Sequence, residues 1–345
     1  MHLLIFKVNH LGDNVVFLPV VQGLRRFYPH WRLTVVTAPH VAALYEADVA
    51  RDDLIVVAPE KLKSAWQRPW ELAAWAARLN GRRFDASLVS YDQGSVAHGL
   101  AWIAGGRIRV GAAGLRIRLR HTLTHAVALA PGWGMAKWNW ETARALVAAL
   151  DPSHTWPADP PAPNLAHLSA GSPPQPGRVL IHAGSKQPHT RWPLERFAAL
   201  AERLSQRGEV VWIDTPETRA ALLPAAITRC ETRTLPDLAG QIARAQLFVG
   251  NNSGPMHLAS ALGTPGVVIS GASAYAWDPA WHAEKFQVLR TPGLACLPCE
   301  QGPFSPGRCT NAAEPMACMQ RWSVDAIAAA CLTALAGSAR KTASP

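Results

Sequence analysis

Short apolar runs alternate with longer segments of helical period along most of the chain. In the first half, strands are predicted at 3–8, 33–37, 54–57 and 86–90, and helices at 15–27 and 62–79. The alternation continues later, with strands at 179–182, 210–213, 247–250 and 266–270 and helices at 194–206, 238–245 and 255–262. Such runs, separated by helices, are typical of parallel strands joined by crossover helices. The pattern predicts an α/β fold of two doubly wound, Rossmann-like domains.

The composition changes between the two halves. Residues 151–177 include eight Pro and show no sustained apolar period, so no packed element is expected there. We predict an N-terminal domain over residues 1–160, a Pro-rich linker over 161–177 and a C-terminal domain over 178–345. Doubly wound domains bind ligands at the carboxyl ends of their strands, and two such crevices facing each other would form a cleft.

The positive net charge of the chain favours anionic binding partners. The chain has 34 Lys and Arg against 24 Asp and Glu, a formal net charge of +10, which favours a phosphate-bearing substrate, an acidic membrane surface or nucleic acid. No nucleic-acid-binding motif accompanies the charge, so we expect no nucleic-acid partner. No run approaches the roughly 20 apolar residues of a membrane-spanning helix, and no signal-peptide pattern is present, so a cytoplasmic protein is expected.

A Trp-rich basic segment adds a second expectation about location. Residues 61–78 contain Trp66, Trp70 and Trp75 among Lys and Arg side chains. Amphipathic aromatics beside basic residues favour a membrane interface, so peripheral contact with the inner membrane is predicted. Ordinary core and surface positions for these Trp are the alternative.

The first candidate site follows the first predicted strand. Gly12 permits a tight turn, and Asp13 stands at the start of an apolar helix, facing the expected cleft. A catalytic role is one interpretation, and helix capping is the other, because Asp is a preferred N-cap residue. Pro19 removes a backbone hydrogen bond within the predicted helix 15–27, which predicts a late start or a kink.

A second motif spans residues 250–257, between an apolar strand and an Ala- and Leu-rich helix. Ser253 can cap this helix, Gly254 lets a ligand approach the backbone, and Pro255 suits the first turn. Free amides at a helix N-terminus form a natural diphosphate site, and His257 would reach a phosphate or sugar oxygen. A capped helix with a surface His is the alternative.

Two basic segments also suit an anionic ligand. The loop after the strand at 179–182 carries Lys186, His189 and Arg191 before Trp-Pro opens a helix. In the N-terminal domain, an Arg cluster would meet several phosphates and comprises Arg107, Arg109, Arg116, Arg118 and Arg120. Solvated loops, or the outer face of a strand for the Arg cluster, are the alternatives.

Taken in chain order, these motifs resemble glycosyltransferase family 9, typified by the lipopolysaccharide heptosyltransferases. The resemblance covers about residues 3 to 330 and rests on the turn at 11–13 with Leu18-Pro19, the loop ending at 191–193, the run 253–259 with 262–265, and the Cys-rich tail. It implies a GT-B fold. It also implies inverting transfer of a heptose from ADP-heptose to a sugar hydroxyl of a lipopolysaccharide inner-core acceptor, an anionic glycolipid at the inner membrane surface.

The resemblance also implies roles for individual residues. Asp13 would be the general base that takes the acceptor proton. Ser253, Gly254 and His257 would hold the donor diphosphate in place of a metal ion, so no catalytic cofactor is expected. Glu217 would bind the donor ribose, and the remaining predicted donor contacts are Lys186, Thr190, Arg191 and Asn252. The Arg cluster would bind the acceptor.

Two positions depart from the family pattern. Asn252 stands where the family usually has Asp, and Thr190 where it usually has Lys. Lys186, His189 or Arg191 would replace the missing cation. Three alternatives therefore stay open: another nucleotide sugar, a protein acceptor, or a catalytically weakened relative that binds nucleotide sugar. The presence of Asp13 argues against the last.

Four Cys lie close together within the loop 296–318, among Pro and Gly: Cys296, Cys299, Cys309 and Cys318. Four thiolates can bind one tetrahedral Zn or Fe ion and so order a loop, whereas reduced, packed thiols are the alternative. The resemblance favours a metal, since bacterial protein heptosyltransferases of the family hold iron with four Cys. Four protein ligands leave no open position, so a metal here is predicted to be structural.

Overall fold

The computed structural model of the chain describes residues 1–91, 94–113, 119–169, 173–300 and 307–342. The chain forms two compact units, Met1–Asn164 and Leu165–Pro345. Each unit contains a six-stranded parallel sheet. Within the described ranges, no helix is both long and apolar enough to cross a membrane.

Among its described residues, the first unit has six strands and six α-helices. The strands are β1 (His2–Lys7), β2 (Arg32–Thr37), β3 (Leu54–Val56), β4 (Ala86–Val89), β5 (Ile108–Ala112) and β6 (His125–Val127). The helices are α1 (Leu11–Val15), α2 (Leu18–Phe27), α3 (Pro59–Ser64), α4 (Pro69–Asn80), α5 (Ser95–Ile103) and α6 (Met135–Leu150). The order β3-β2-β1-β4-β5-β6 reverses between β1 and β4. This switch point is where a doubly wound sheet binds ligands.

The second unit repeats this topology. Its strands are β7 (Gln175–His182), β8 (Val210–Asp214), β9 (Thr228–Glu231), β10 (Ala245–Asn251), β11 (Gly266–Ile269) and β12 (Phe286–Leu289). Its helices are α7 (Ala166–Ser169), α8 (Leu194–Ser205), α9 (Leu235–Ala243), α10 (Gly254–Leu262), α11 (Ala317–Gln320) and α12 (Val324–Thr342). The order β12-β11-β10-β7-β8-β9 places the switch point between β7 and β10.

The central strands form because both of their faces are covered. Every residue of β1 is buried, and so are the last five residues of β7. Parallel strands covered by helices on both faces read as continuous apolar runs, which is how these two appear in the sequence. The predicted α/β fold class is confirmed by the two sheets.

Proline positions explain where the predicted helices divide. The predicted helix 15–27 starts late, as the missing N–H of Pro19 predicts: α1 ends at Val15, and α2 begins at Leu18 with Pro19 in its first turn. The predicted helix 62–79 is likewise interrupted, and α4 begins at Pro69. Proline is tolerated in a first turn because that N–H has no partner within the helix.

The prediction that residues 151–177 hold no packed element was wrong. The one-turn helix α7 and the start of β7 both lie in this segment, and the two units meet between Asn164 and Leu165. Leu165 and Leu168 are buried, and Gln175 donates its backbone N–H to the carbonyl of Arg244. Two buried Leu side chains are too few to produce a period that sequence inspection detects.

Candidate active site

Asp13 lies beside the switch point of the first unit. It is the third residue of α1, whose N-cap is His10 and has no side-chain cap, so Asp13 does not cap this helix. The hydroxyl of Tyr91, just after β4, donates a hydrogen bond to Oδ1 of Asp13. Asp13 follows β1, which neighbours β4, so the carboxylate is held where the strand order reverses.

A buried amide fixes the turn that carries Asp13. Asn14 is fully buried, and its Nδ2 donates to the carbonyls of Asn9 and His10, at 3.1 and 2.8 Å. Its Oδ1 accepts a 2.7 Å hydrogen bond from the hydroxyl of Tyr45. The backbone on either side of Asp13 is therefore held by side chains, which a precisely oriented catalytic group requires.

Sequence inspection missed the buried cation of this site. Lys7, the last residue of β1, is fully buried, and its Nζ donates to Oγ of Ser90 at 3.1 Å. It also lies 4.7 Å from the ring centroid of Tyr91. The sequence did contain an indication of this buried cation, because Lys7 is the one charged residue in the predicted strand 3–8. Lys is almost never fully buried without a partner, so a charged residue in a buried strand points to a polar site.

The second unit presents the start of α10 at its switch point. Ser253 occupies the N-cap position, but its Oγ donates to the carbonyl of Asn251 at 3.2 Å and caps no amide. The predicted capping role of Ser253 was therefore wrong. The helix N-terminus keeps the backbone geometry and dipole that favour a phosphate, with Gly254 as the first helical residue.

Asn251 holds the strand ends of this unit together. It is fully buried at the end of β10; its Nδ2 donates to the carbonyl of Ala183 at 2.8 Å, and its Oδ1 accepts from the backbone N–H of Trp192 at 3.0 Å. One side chain thus bridges β10 to the loop that follows β7. Sequence inspection had no signal to separate it from the neighbouring Asn252.

His257 is buried, which makes the surface-His alternative wrong. It is 3% exposed, and its ring packs against Trp277 at a centroid distance of 5.7 Å. Burial lowers the pKa of His257 to about 4, so the ring is neutral at neutral pH. Its Nδ1 has no hydrogen-bond partner among the described residues. A buried, unpaired ring nitrogen beside a helix N-terminus suits a ligand oxygen.

The local contacts of Asn252 explain why an amide stands there. Its Nδ2 donates to Oγ of Ser270 at 3.1 Å and to the carbonyl of Trp277 at 3.3 Å. A carboxylate has no proton to donate to that carbonyl. Asn252 therefore ties β10 to the segment whose Trp277 packs on His257.

The basic loop after β7 is held by its own side chains. Thr190 is buried, and its Oγ1 lies 2.8 Å from the Gln187 carbonyl and 2.7 Å from Oγ of Ser185. Nε of Arg191 donates to the Ser185 carbonyl at 2.6 Å, while Lys186 is exposed. The Thr190 side chain thus stabilises the conformation of the loop through these two contacts. Lys186 and Arg191 supply its positive charge.

Glu217 lies beside this loop, just past the carboxyl end of β8. A hydrogen bond with the Thr215 side chain lowers the pKa of Glu217, and the nearby charge of Arg191 lowers it further. His182 is buried, which lowers its own pKa to about 4. The predicted donor residues at 186–191, 217 and 252–257 thus follow neighbouring strands of one sheet.

Arg107 and Arg109 of the Arg cluster lie toward the amino end of β5, whereas Asp13 follows the carboxyl end of β1. Arg107 lies just before β5, and Arg109 is the second residue of β5, where it pairs with Ser87 of β4. Both residues therefore come before the carboxyl end of β5. The guanidinium of Arg109 donates to the carbonyls of Thr122 and Gly106, both at 2.6 Å. Arg120 begins a 3₁₀ turn, Arg120–Thr122, before β6. Arg116 and Arg118 lie outside the described residues. Arg107 and Arg109 therefore lie away from the carboxyl ends of the strands, where doubly wound sheets bind ligands, and acceptor binding by the Arg cluster stays a prediction.

The thiols of the four Cys lie near one another. Burial, together with the nearby thiols of Cys299, Cys309 and Cys296, raises the pKa of the Cys318 thiol to about 11. Sγ of Cys309 accepts the backbone N–H of Met316 at 3.2 Å. Among the described residues, no three or more His, Cys, Asp or Glu side chains are placed to hold a metal ion. Residues 301–306 of this loop are not among them.

Comparison with known proteins decides the family. The family description "Glycosyltransferase family 9 (heptosyltransferase)" matches residues 73–303. The chain belongs to glycosyltransferase family 9. It is therefore a glycosyltransferase. The match begins after Asp13, so the role of that residue rests on its geometry.

Individual relatives of this family 9 transferase are distant in sequence. It is 24% identical over 296 residues to lipopolysaccharide heptosyltransferase 3 of Escherichia coli, covering 80% of this chain and 85% of the relative. It is similar in structure to the E. coli heptosyltransferase WaaC with ADP-2-deoxy-2-fluoro heptose, with a TM-score of 0.71, 17% identity and coverage of 96% of this chain and 99% of that one. It is also similar to the iron-containing heptosyltransferase TibC of enterotoxigenic E. coli, with a TM-score of 0.57, 16% identity and coverage of 98% and 76%. These structures confirm the predicted two-domain GT-B fold.

Substituting His257 tests the diphosphate site. We expect His257→Ala to weaken ADP binding by about 1 to 3 kcal/mol, the range for losing a hydrogen bond to a charged group. Isothermal titration calorimetry measures the change. His167→Ala, which removes an exposed ring on α7, is the control and should bind ADP normally. Unchanged affinity in His257→Ala would remove this residue from the site.

Proposed function

We propose that this transferase moves a heptose, with inversion, from ADP-heptose to a sugar hydroxyl of a lipopolysaccharide inner-core acceptor. The observation that carries the proposal is the start of α10, where Ser253, Gly254 and the buried His257 meet at the switch point of the second sheet. A helix N-terminus with an adjacent unpaired ring nitrogen suits the diphosphate of a nucleotide sugar. The relatives named above, described as heptosyltransferases, support heptose as the sugar.

In the proposed reaction, the chain binds the leaving group and removes a proton. The amides of α10, His257 and the cations Lys186 and Arg191 stabilise the negative charge that develops on the departing nucleoside diphosphate. Glu217 accepts hydrogen bonds from the donor ribose. Asp13 takes the proton of the acceptor hydroxyl as its oxygen attacks the anomeric carbon on the face opposite the leaving group. No step requires a metal ion or another cofactor.

A second candidate is transfer from a different nucleotide sugar. Asn252 favours it, because its amide donates to Trp277 and Ser270 where a carboxylate would face the donor sugar in the family pattern. This change alters hydrogen bonding to the sugar and leaves the diphosphate site intact. A protein acceptor is compatible with the same donor chemistry. A catalytically weakened relative is disfavoured by the fixed carboxylate of Asp13.

We propose that the acceptor is anionic and is presented at the cytoplasmic face of the inner membrane. Trp70 on α4 is 69% exposed and Trp102 on α5 is 60% exposed, and these two helices pack against each other. Exposed Trp side chains on a protein of net charge +10 suit the interface of an anionic membrane. The exposure of Trp70 supports the interpretation of the segment 61–78.

A transfer assay tests the proposed function. Purified protein is incubated with ADP-heptose and a deacylated inner-core acceptor, and the product is identified by mass spectrometry. The melting temperature is measured in parallel with ADP-heptose and with other nucleotide sugars, since a ligand that binds the folded state raises it. Heptose transfer together with a thermal shift specific to ADP-heptose is expected. A shift and transfer with a different nucleotide sugar would support the second candidate.

We further propose that Cys296, Cys299, Cys309 and Cys318 hold one structural Zn or Fe ion, with roughly one equivalent per chain. Support comes from the mutual proximity of the thiols, from the N–H···S bond to Cys309 and from the resemblance to an iron-containing relative. Cys299→Ser is expected to lower both metal content and melting temperature, because metal binding and folding are coupled.

Elemental analysis of protein purified without an affinity tag measures this effect. Cys230→Ser, which changes a thiol on β9 outside the loop, is the control and should retain its metal. A metal-free, fully folded protein whose four loop thiols are all alkylated would contradict the proposal.

A further inference from the structure

The switch point of the first unit contains a polar cluster that the proposed reaction leaves unexplained. The Tyr91 hydroxyl, just after β4, donates to Asp13, while Nζ of Lys7, at the end of β1, lies over the Tyr91 ring and donates to Ser90. We propose that Tyr91, supported by Lys7, is a positioning residue that sets the orientation of the Asp13 carboxylate. This inference rests on the proposed function, in which Asp13 is the base.

The ring of Tyr91 is held by burial and by stacking on an indole. It is 5% exposed and stacks on the indole of Trp138 at a centroid distance of 5.2 Å and an interplanar angle of 20°. The indole N–H of Trp138, on α6, donates to the Val127 carbonyl at 3.0 Å. The stacking partner is therefore itself fixed, and the phenol hydroxyl has little freedom to leave Asp13.

Lys7 supplies a buried positive charge next to this phenol. Its Nζ lies 4.7 Å from the Tyr91 ring centroid and 5.5 Å from that of Phe17, within the distance of a cation–π interaction. Its hydrogen bond to Ser90 fixes the residue that precedes Tyr91, and Oγ of Ser90 in turn lies 3.3 Å from Oδ1 of Asn139. Lys7 therefore contacts both the Tyr91 ring and Ser90, the residue before it.

Tyr91 thus contacts Lys7 through its ring and Asp13 through its hydroxyl. The hydrogen bond from Tyr91 fixes Oδ1 of Asp13 and hence the plane of the carboxylate. Proton transfer in the transition state depends strongly on such orientation, so a free carboxylate would spend most of its time in unproductive rotamers. The effect of Tyr91 is therefore expected in turnover and not in ground-state binding.

The test is a double-mutant cycle between Tyr91→Phe and Asp13→Asn. Tyr91→Phe keeps the stacked ring and removes only the hydroxyl. We expect it to reduce kcat by roughly 10- to 100-fold while the KM values for donor and acceptor change less than about 2-fold. In the Asp13→Asn background the same substitution should cause no further loss, because residues that act through one interaction are not additive. Long end-point incubations measure the low residual turnover.

The chain offers a matched control. The Tyr28 hydroxyl, at the end of α2, donates to Oδ2 of Asp151 at 3.1 Å, and its ring is stacked on Trp31. Tyr28→Phe therefore removes the same chemical group from the same kind of buried Tyr–Asp contact, away from the switch point. Normal kcat and KM are expected for this variant.

Three results would overturn the inference: unchanged kcat in Tyr91→Phe, a loss that appears in KM, or an equal further loss when Tyr91→Phe is added to Asp13→Asn. The last two indicate a structural role. Failure of the proposed function gives a different result, since Asp13→Asn alone would then keep near-normal turnover. Loss of turnover in Asp13→Asn with normal turnover in Tyr91→Phe would overturn the positioning role alone.

Discussion

Asp13→Asn is expected to reduce turnover by roughly 10²- to 10⁴-fold while donor affinity stays nearly unchanged. An amide has the shape of the carboxylate but cannot accept the acceptor proton. The base acts in the transition state, so its loss lowers kcat without affecting the diphosphate site on the second unit. Steady-state kinetics, with ADP affinity measured separately by calorimetry, distinguishes these quantities.

The control for this prediction is the melting temperature of the Asp13→Asn variant, which shows whether it folds normally. Asp13 caps no helix, since α1 begins at Leu11 after an N-cap His10, so Asn at this position should leave the melting temperature close to that of the original protein. A folded Asp13→Asn variant with near-normal turnover would exclude Asp13 as the general base. It would then follow that the acceptor proton leaves by another route.

Asn251→Leu is expected to destabilise the second unit by about 2 to 5 kcal/mol, the cost of leaving two buried polar groups without a partner. The substitution keeps the number and branching of the side-chain heavy atoms but removes the hydrogen bonds to the Ala183 carbonyl and the Trp192 N–H. Because these groups belong to the loop that leads to Thr190 and Arg191, ADP affinity should fall as well. Few single substitutions outside the apolar core have a comparable effect.

Equilibrium urea unfolding followed by Trp fluorescence measures the change in stability. Asn80→Leu, at the exposed end of α4, is the matched control and should change stability by less than about 0.5 kcal/mol. An unchanged urea midpoint for Asn251→Leu would show that the bridge between β10 and the loop after β7 contributes no net stability.

The fold and the donor segment were predictable because their signals are local. Buried strands such as β1 and β7 appear as short apolar runs, and the motif at 250–257 combines Gly, Ser and Pro where a strand passes into a helix. Parallel strands share one ligand-binding edge, so residues that follow β7, β8 and β10 were expected to lie near each other. In the structure Arg191, Glu217 and His257 follow β7, β8 and β10 respectively.

The α/β class, the positions of the central strands and the segments that bear the site thus follow from local patterns in the chain. Which distant side chains meet there depends on how the strands are ordered in the folded protein. Tyr91 contacts Asp13 because β4 lies beside β1, and Arg109 is directed away because its place on β5 precedes the ligand-binding edge. The division has a physical reason. Backbone periodicity is set by neighbours a few residues apart, whereas strand order and side-chain direction depend on packing between residues far apart in the chain.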